Sequence, residues 1–236
     1  MPALSVAFPA YNEAPNIERV LLRAVAVLPS IEPDYEIVVV DDGSADATAA
    51  LVAEVGGRYP RVRLVRHEAN RGYGAAVWTG LTASTGEQRF FTDADGQFVL
   101  EELRLLRDHL DAADMVIGYR RRRQDPWPRR LNGWGWSALV NMLFGYTARD
   151  VDCAFKLMRR QVVETLPVHS RGATFSAELL VKARQAGYRV AEVGVTHLPR
   201  RLGSASGARP AVIARAFWEL VALRREVRGG LPPPLR

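Results

Sequence analysis

Through the first half of the sequence, short apolar runs alternate with segments of helical periodicity, and each apolar run ends abruptly in polar or glycine-rich residues. Leu4 to Pro9, Tyr35 to Val40, Val62 to His67, the run through Phe90 and Phe91, and Asp114 to Ile117 read as strands. Between them, Ile17, Val20, Leu21, Ala24 and Val25 recur at helical spacing behind Pro15. Asp46 to about Val55, the small-residue stretch after Gly72 and Gly74, and Leu100 to Leu110 complete the helical set. Strands and helices alternating with short turns call for an α/β fold, a mainly parallel sheet covered on both faces. Right-handed crossovers then put every strand-to-helix loop on one edge, where such sheets bind ligands.

The polar signals fall in those loops: Tyr11, Asn12 and Glu13; Asp41 and Asp42; Asp93 to Gln97; and the basic loop Gly118 to Arg123 with Arg120. FFTDADGQ turns from a buried strand to Asp93, Asp95 and Gln97, separated by Ala94 and Gly96. Residues two apart in a strand share a face, so the two carboxylates are expected to project together. Oxygen donors without His or Cys favour a hard cation, Mg2+ or Mn2+, whose shell substrate phosphates and water complete. An isolated DxD is more often a polar turn, but four loops converging on one edge outweigh that reading. Asp41 and Asp42 begin a turn that either closes a loop or accepts hydrogen bonds from a nucleoside.

The second half is less regular. Leu131 to Phe144 reads as a helix with Trp134 and Trp136, residues 150 to 158 as a strand, Gln161 to Leu166 and Phe175 to Gln185 as helices, and Arg189 to His197 as an alternating strand. A basic, small-residue loop, PRRLGSASGARP, precedes an amphipathic helix from Ala211 to Val227 and the tail GGLPPPLR. Residues 1–206 are thus expected to form one domain and 207–236 an appendage. With 236 residues and one cysteine, Cys153, the chain is long enough for a full core and has no intramolecular disulfide. A net charge of +6, carried mostly by Arg, suits phosphate or membrane-surface partners, and no nucleic-acid-binding motif accompanies it. Pro9, Asn12, Glu13 and Pro15 interrupt any signal-peptide pattern, and no uncharged run approaches spanning length, so a cytoplasmic location is expected. His67, His109, His169 and His197 are scattered without ligand spacing; His197 alone precedes the Arg loop.

PAYNEAPNI, VVVDDGSADAT, NRGYGAA, TDADGQF, GYR and DVDCAFKL, in this order, resemble family 2 glycosyltransferases of the GT-A fold, with a Rossmann-like nucleotide-binding sheet. The similarity covers about residues 3 to 205 and is greatest to the dolichyl-phosphate mannose synthase-like, polyprenyl-phosphate branch. The resemblance implies that Pro9, Tyr11, Glu13 and Asp42, with Asp41 adjacent, contact a nucleotide-sugar donor. It implies that Asp93, Asp95 and Gln97 hold the metal and diphosphate, and that Arg120, Arg200 and Arg201 lie near the donor. It also puts Asp150 to Lys156 on the acceptor side, with Asp152 and Lys156 facing the reacting centre. Gly203 to Ser206 depart from the Gly-x-Ser-Lys of some polyprenyl-phosphate enzymes and offer no lysine.

Charge development on the leaving diphosphate calls for a cation together with Arg120 and Arg200 or Arg201. A polyprenyl-phosphate acceptor needs no base. A soluble or protein-bound hydroxyl acceptor does, with Asp152 first and Asp150 second; either Asp could instead pair with an Arg. Glu178 and Trp134 are further acceptor-side candidates, with Glu178 equally a structural residue. The last helix, with Val212, Ile213, Ala216, Phe217, Leu220, Val221 and Leu223 on one face, either packs on the domain or lies at the membrane surface with Trp127, Trp134 and Trp136. A non-catalytic nucleotide-sugar-binding or scaffold protein is the alternative outside enzymes.

Overall fold

The computed structural model describes residues 1–121, 127–199 and 210–229. At its centre β1 (Leu4–Ala10) is buried along its whole length, with parallel neighbours β2 (Tyr35–Asp41) and β4 (Gln88–Thr92). A strand covered on both faces cannot alternate apolar with polar residues, which is why LSVAFPA and YEIVVVD are near-continuous apolar runs. With β3 (Val62–Arg66), β5 (Met115–Arg120), β6 (Phe155–Arg159) and β7 (Val190–Val195), the seven-stranded order is β3-β2-β1-β4-β6-β5-β7. Mainly parallel pairing is thus as expected, with one antiparallel member. β6 runs antiparallel to both β4 and β5, so it delivers the residues before it to the ligand-binding edge.

α1 (Ala14–Val27), α2 (Thr48–Arg58) and the short α4 (Leu103–Arg107) cover one face, where Ile17, Leu21, Val52, Leu103 and Leu106 meet Leu4, Val6 and Phe8. α3 (Tyr73–Ala83), α5 (Trp127–Phe144), α6 (Arg160–Thr165), α7 (Phe175–Gln185) and α8 (Pro210–Arg228) pack on the other through Val77, Leu81, Val140, Val162, Leu179 and Leu220. α8 adds Leu223 and Val227 to that core. Glu226 of α8 accepts from the buried Lys182 at 2.6 Å, and Thr174 donates to Glu219. The packing alternative for this helix therefore holds for its buried side, while Phe217 and Trp218 are exposed.

Several boundaries differ from the sequence reading; α5, expected from Leu131, begins at Trp127. Gly118 to Arg120 belong to β5, drawn into the ladder by pairing with Gly194 and Val195 of β7 among others. β6 begins only at Phe155, because residues 150–154 form a turn. The helix expected from Leu100 opens as a 3-10 turn and is regular only over α4.

Candidate active site

The loops after β1 and β2 are stitched together. Asn12, at φ 54°, donates its N–H to Ser44 Oγ at 2.9 Å and accepts from Ala45 N–H at 2.9 Å. Glu13 N–H reaches Thr48 Oγ1 and Ala14 N–H reaches Asp46 Oδ2, so the β2 loop caps α1. Tyr11 is left exposed at this junction, and Pro9 is buried within β1. Glu13 accepts from Asn16 Nδ2 at 2.8 Å.

Asp41 and Asp42 are both buried. Asp42 accepts from His67 Nδ1 (2.6 Å), Arg71 N–H (2.9 Å) and Gly72 N–H (2.9 Å). Its carboxylate is committed to holding the loop before α3, and His67, whose Nε2 lies 3.0 Å from Thr79 Oγ1, belongs to the same lock. Asp41 accepts from Ser44 N–H and lies 3.3 Å from Arg66 Nε.

β4 ends at Thr92, so Asp93 and Asp95 stand on a turn and not on a strand. Strand alternation therefore does not explain their common position. The turn does: Gly96 takes φ +72°, and Gln97 N–H closes onto Asp95 Oδ1 at 3.0 Å. Gln97 is buried and donates its side-chain amide to Leu198 O at 2.9 Å, fastening this turn to the segment after β7. Tyr73 Oη–H donates to Asp93 Oδ1 at 3.0 Å. Asp93 keeps some contact with water, yet the protein crowds it; desolvation first, and Asp95 second, push its carboxyl up to about 7. Two carboxylates that raise each other's ionisation cost fit a bound divalent cation, which removes that cost. Among the described residues no third His, Cys, Asp or Glu joins them, so phosphate and water oxygens would have to complete the shell.

The antiparallel register sets Thr92 opposite Phe155, which brings the 150–154 turn beside Asp93. Asp150 and Arg120 form a bidentate pair, Nε to Oδ2 at 2.7 Å and a terminal nitrogen to Oδ1 at 2.6 Å, with each side chain 10% exposed. Arg120 N–H adds a third bond to Asp150. Burial disfavours the guanidinium's charge, but Asp150 more than offsets this and raises the Arg120 pKa. Of the two Asp residues considered as bases, Asp150 therefore takes the ion-pair role. Asp152 reaches solvent but is crowded at its base; desolvation pushes its carboxyl to about 6 against the pull of Lys156 and Arg120. Trp136 Nε1 is buried and makes no hydrogen bond among the described residues.

Two acceptor-side candidates do not face the cleft. Lys156 is fully buried and donates to Val151 O at 3.1 Å, to Cys153 O and to Ser176 Oγ at 3.4 Å. It supports the turn from below, and burial lowers its pKa. Glu178 is buried too, accepting from His169 and Ser170 N–H and pairing with Lys182 at 2.7 Å. A carboxylate with that many donors is a loop anchor. Trp134 is exposed on α5. His197 is buried with its ring 5.0 Å from that of Phe98. Arg200, Arg201 and Gly203 to Ser206 lie outside the described residues. Sequence reasoning missed Tyr73: only its place between two glycines marks it, and periodicity says nothing about where a helix's first turn points.

Residues 5–166 match the model of the family described as glycosyl transferase family 2. The chain is 32% identical over 243 residues to a polyprenol monophosphomannose synthase of Mycolicibacterium smegmatis, covering 95% of this chain and 89% of that protein. It is 33% identical over 204 residues to an undecaprenyl-phosphate 4-deoxy-4-formamido-L-arabinose transferase of Edwardsiella ictaluri, covering 85% of this chain but 61% of that one. Among solved structures, mannosyl-3-phosphoglycerate synthase of Rubrobacter xylanophilus aligns with a TM-score of 0.73 at 19% identity, covering 97% of this chain and 75% of that one. Glucosyl-3-phosphoglycerate synthase of Mycobacterium tuberculosis, in complex with Mn2+, uridine diphosphate and phosphoglyceric acid, aligns at 0.71 with 22% identity, covering 98% and 80%.

Proposed function

The chain belongs to glycosyl transferase family 2 and has the GT-A fold, and from that premise we propose that it moves a sugar from a nucleoside-diphosphate donor to a polyprenyl phosphate, inverting the anomeric centre with a divalent cation's help. The observation that carries this reading is the meeting of two acidic turns at one sheet edge, Asp93 and Asp95 after β4 and Asp152 before β6. The acceptor class is supported by relatives named for polyprenol and undecaprenyl phosphate. The cation is supported by solved neighbours holding Mn2+ or Mg2+.

When bound, Mg2+ or Mn2+ would offset the negative charge gathering on the departing diphosphate. Asp93 and Asp95 would hold it, with Tyr73 orienting Asp93. Arg120, fixed by Asp150, adds a positive charge that need not reorganise during reaction. Tyr11, Glu13 and Asp41 on the joined β1 and β2 loops form the donor side of the proposal, and Arg200 and Arg201 remain part of it.

A phosphate monoester is already anionic at neutral pH, so its oxygen can attack without giving a proton to the protein. Asp152→Asn is therefore expected to leave transfer to a short polyprenyl phosphate within a few-fold of the parent, measured as lipid-linked sugar formed. A hydroxyl acceptor would need Asp152 as base and lose about 10²–10⁴-fold. A loss of that size toward the phosphate acceptor would overturn the reading.

Peripheral attachment to the cytoplasmic membrane face is part of the proposal. No helix among the described residues is long and apolar enough to cross a membrane. α5 instead turns Trp127, Leu131, Trp134, Ala138 and Met142 outward, with Trp127 72% and Trp134 70% exposed. That spacing is one helical face. Val140 on the opposite side is buried, while Ser137 and Asn141 flank the strip and grip the domain, Ser137 accepting from Val151 N–H at 3.2 Å. An apolar strip with exposed Arg130 beside it suits an anionic headgroup layer. Trp134→Glu should weaken binding to anionic vesicles about tenfold or more, from the ~1.5–3 kcal/mol that burying one large apolar side chain supplies. Transfer to a short, water-soluble acceptor should persist; unchanged vesicle sedimentation would remove α5 from the membrane face.

A further inference from the structure

The first turn of α3 carries a hydroxyl that none of the acidic motifs accounts for. We propose that Tyr73 is a positioning residue of the transfer site, holding Asp93 so that one defined carboxylate oxygen, Oδ2, is offered to the cation. This rests on the metal-dependent reading above. Tyr73 Oη–H donates to Asp93 Oδ1 at 3.0 Å, and the same hydroxyl lies in the field of Asp95 and Asp152.

The backbone on either side of Tyr73 has no room to shift. Gly72 takes φ +100°, a region that disfavours any side chain, and its N–H is held by Asp42 Oδ2. A Cβ at Gly72 would overlap the Arg171 carbonyl oxygen. At Gly74 a Cβ would lie 2.6 Å from Phe175 Cβ and 2.7 Å from Ser170 O. With both glycines seated against the 170–175 segment, α3 cannot slide or roll, and the tyrosine stays aimed at the end of β4. A carboxylate with one oxygen tied by a donor loses rotational freedom and the option of binding a cation through both oxygens equally. A phenol does this without bringing a positive charge that would compete with the cation, as Lys or Arg would.

The test uses the full chain with Tyr73→Phe, which keeps the ring and removes only the bond. Mn2+ binding in the presence of uridine diphosphate, followed by electron paramagnetic resonance of free Mn2+, should weaken about tenfold, the scale set by groups that orient metal ligands. The Mn2+ concentration giving half-maximal transfer should rise in proportion, while kcat at saturating Mn2+ and the melting temperature change little. Tyr73→His, which restores a donor, should recover part of the affinity; a merely structural role would move the melting temperature and leave Mn2+ affinity alone. Unchanged Mn2+ affinity in Tyr73→Phe, beside a parent protein that binds and an Asp93→Asn variant that does not, would overturn the proposal. A parent protein with no Mn2+ affinity would overturn the metal-dependent reading as well, and so is distinguishable.

Discussion

Asp95→Ala is expected to lower sugar transfer by about 10²–10³-fold, the scale of removing one charge-stabilising element from a reacting centre. Chelation of the parent protein should produce a loss of the same order, and the two should not compound. The stability of the cation-free protein offers an independent readout. Asp93 titrates at about 7 when folded, against an ordinary 3.8. Between about pH 4 and 7 the folded state therefore binds more protons than the unfolded chain, and stability falls as pH rises through that window. Glu36, Asp114 and Glu178 are held low despite their burial, because hydrogen bonds to Ser5, Arg189 and Lys182 outweigh desolvation. Their stabilising contributions are lost only on acidification below the ordinary carboxylate range, outside this window. Added Mn2+ should raise the melting temperature more at pH 8 than at pH 5, and Asp95→Ala should flatten that difference. Equal stabilisation in parent and variant would remove Asp95 from the cation site.

Asp150→Ala is expected to destabilise the fold by about 3 kcal/mol, because it leaves the guanidinium of Arg120 in a largely dry setting without its partner. For a chain of this length that corresponds to a melting temperature lower by about 6–12 °C. Transfer should fall as well, since Asp150 is what fixes the Arg120 charge proposed to face the departing diphosphate. Arg120→Met combined with Asp150→Leu should recover much of the stability, as apolar pairs often replace buried ion pairs without loss, but should not restore transfer. A double variant with full activity would reduce Arg120 to packing.

Much of the fold was legible because its signals are short-ranged. LSVAFPA and YEIVVVD had to be central parallel strands, since no other sheet position requires apolar residues on both faces. The acidic turn at Asp93 was likewise readable, although its geometry comes from Gly96 and Gln97 and not from strand alternation. Roles depending on burial were less accessible. Lys156 and Glu178 are polar residues near the right motifs, and nothing local distinguishes a group facing the cleft from one supporting a loop beneath it. Asp42 carries the same ambiguity, resolved here by the three donors that converge on it.

The amino-acid order by itself determined the alternation of strands and helices, the placing of acidic turns at strand ends, and the family, because periodicity and turn chemistry act over a few residues. Only the tertiary structure decided that β6 enters the sheet antiparallel, bringing the Asp152 turn beside Asp93. It also decided that Asp150 is spent on Arg120, 30 residues away, and that Tyr73 reaches Asp93 across 20. Such pairings depend on how layers pack and which groups lose water, and neither is encoded in any single stretch of chain.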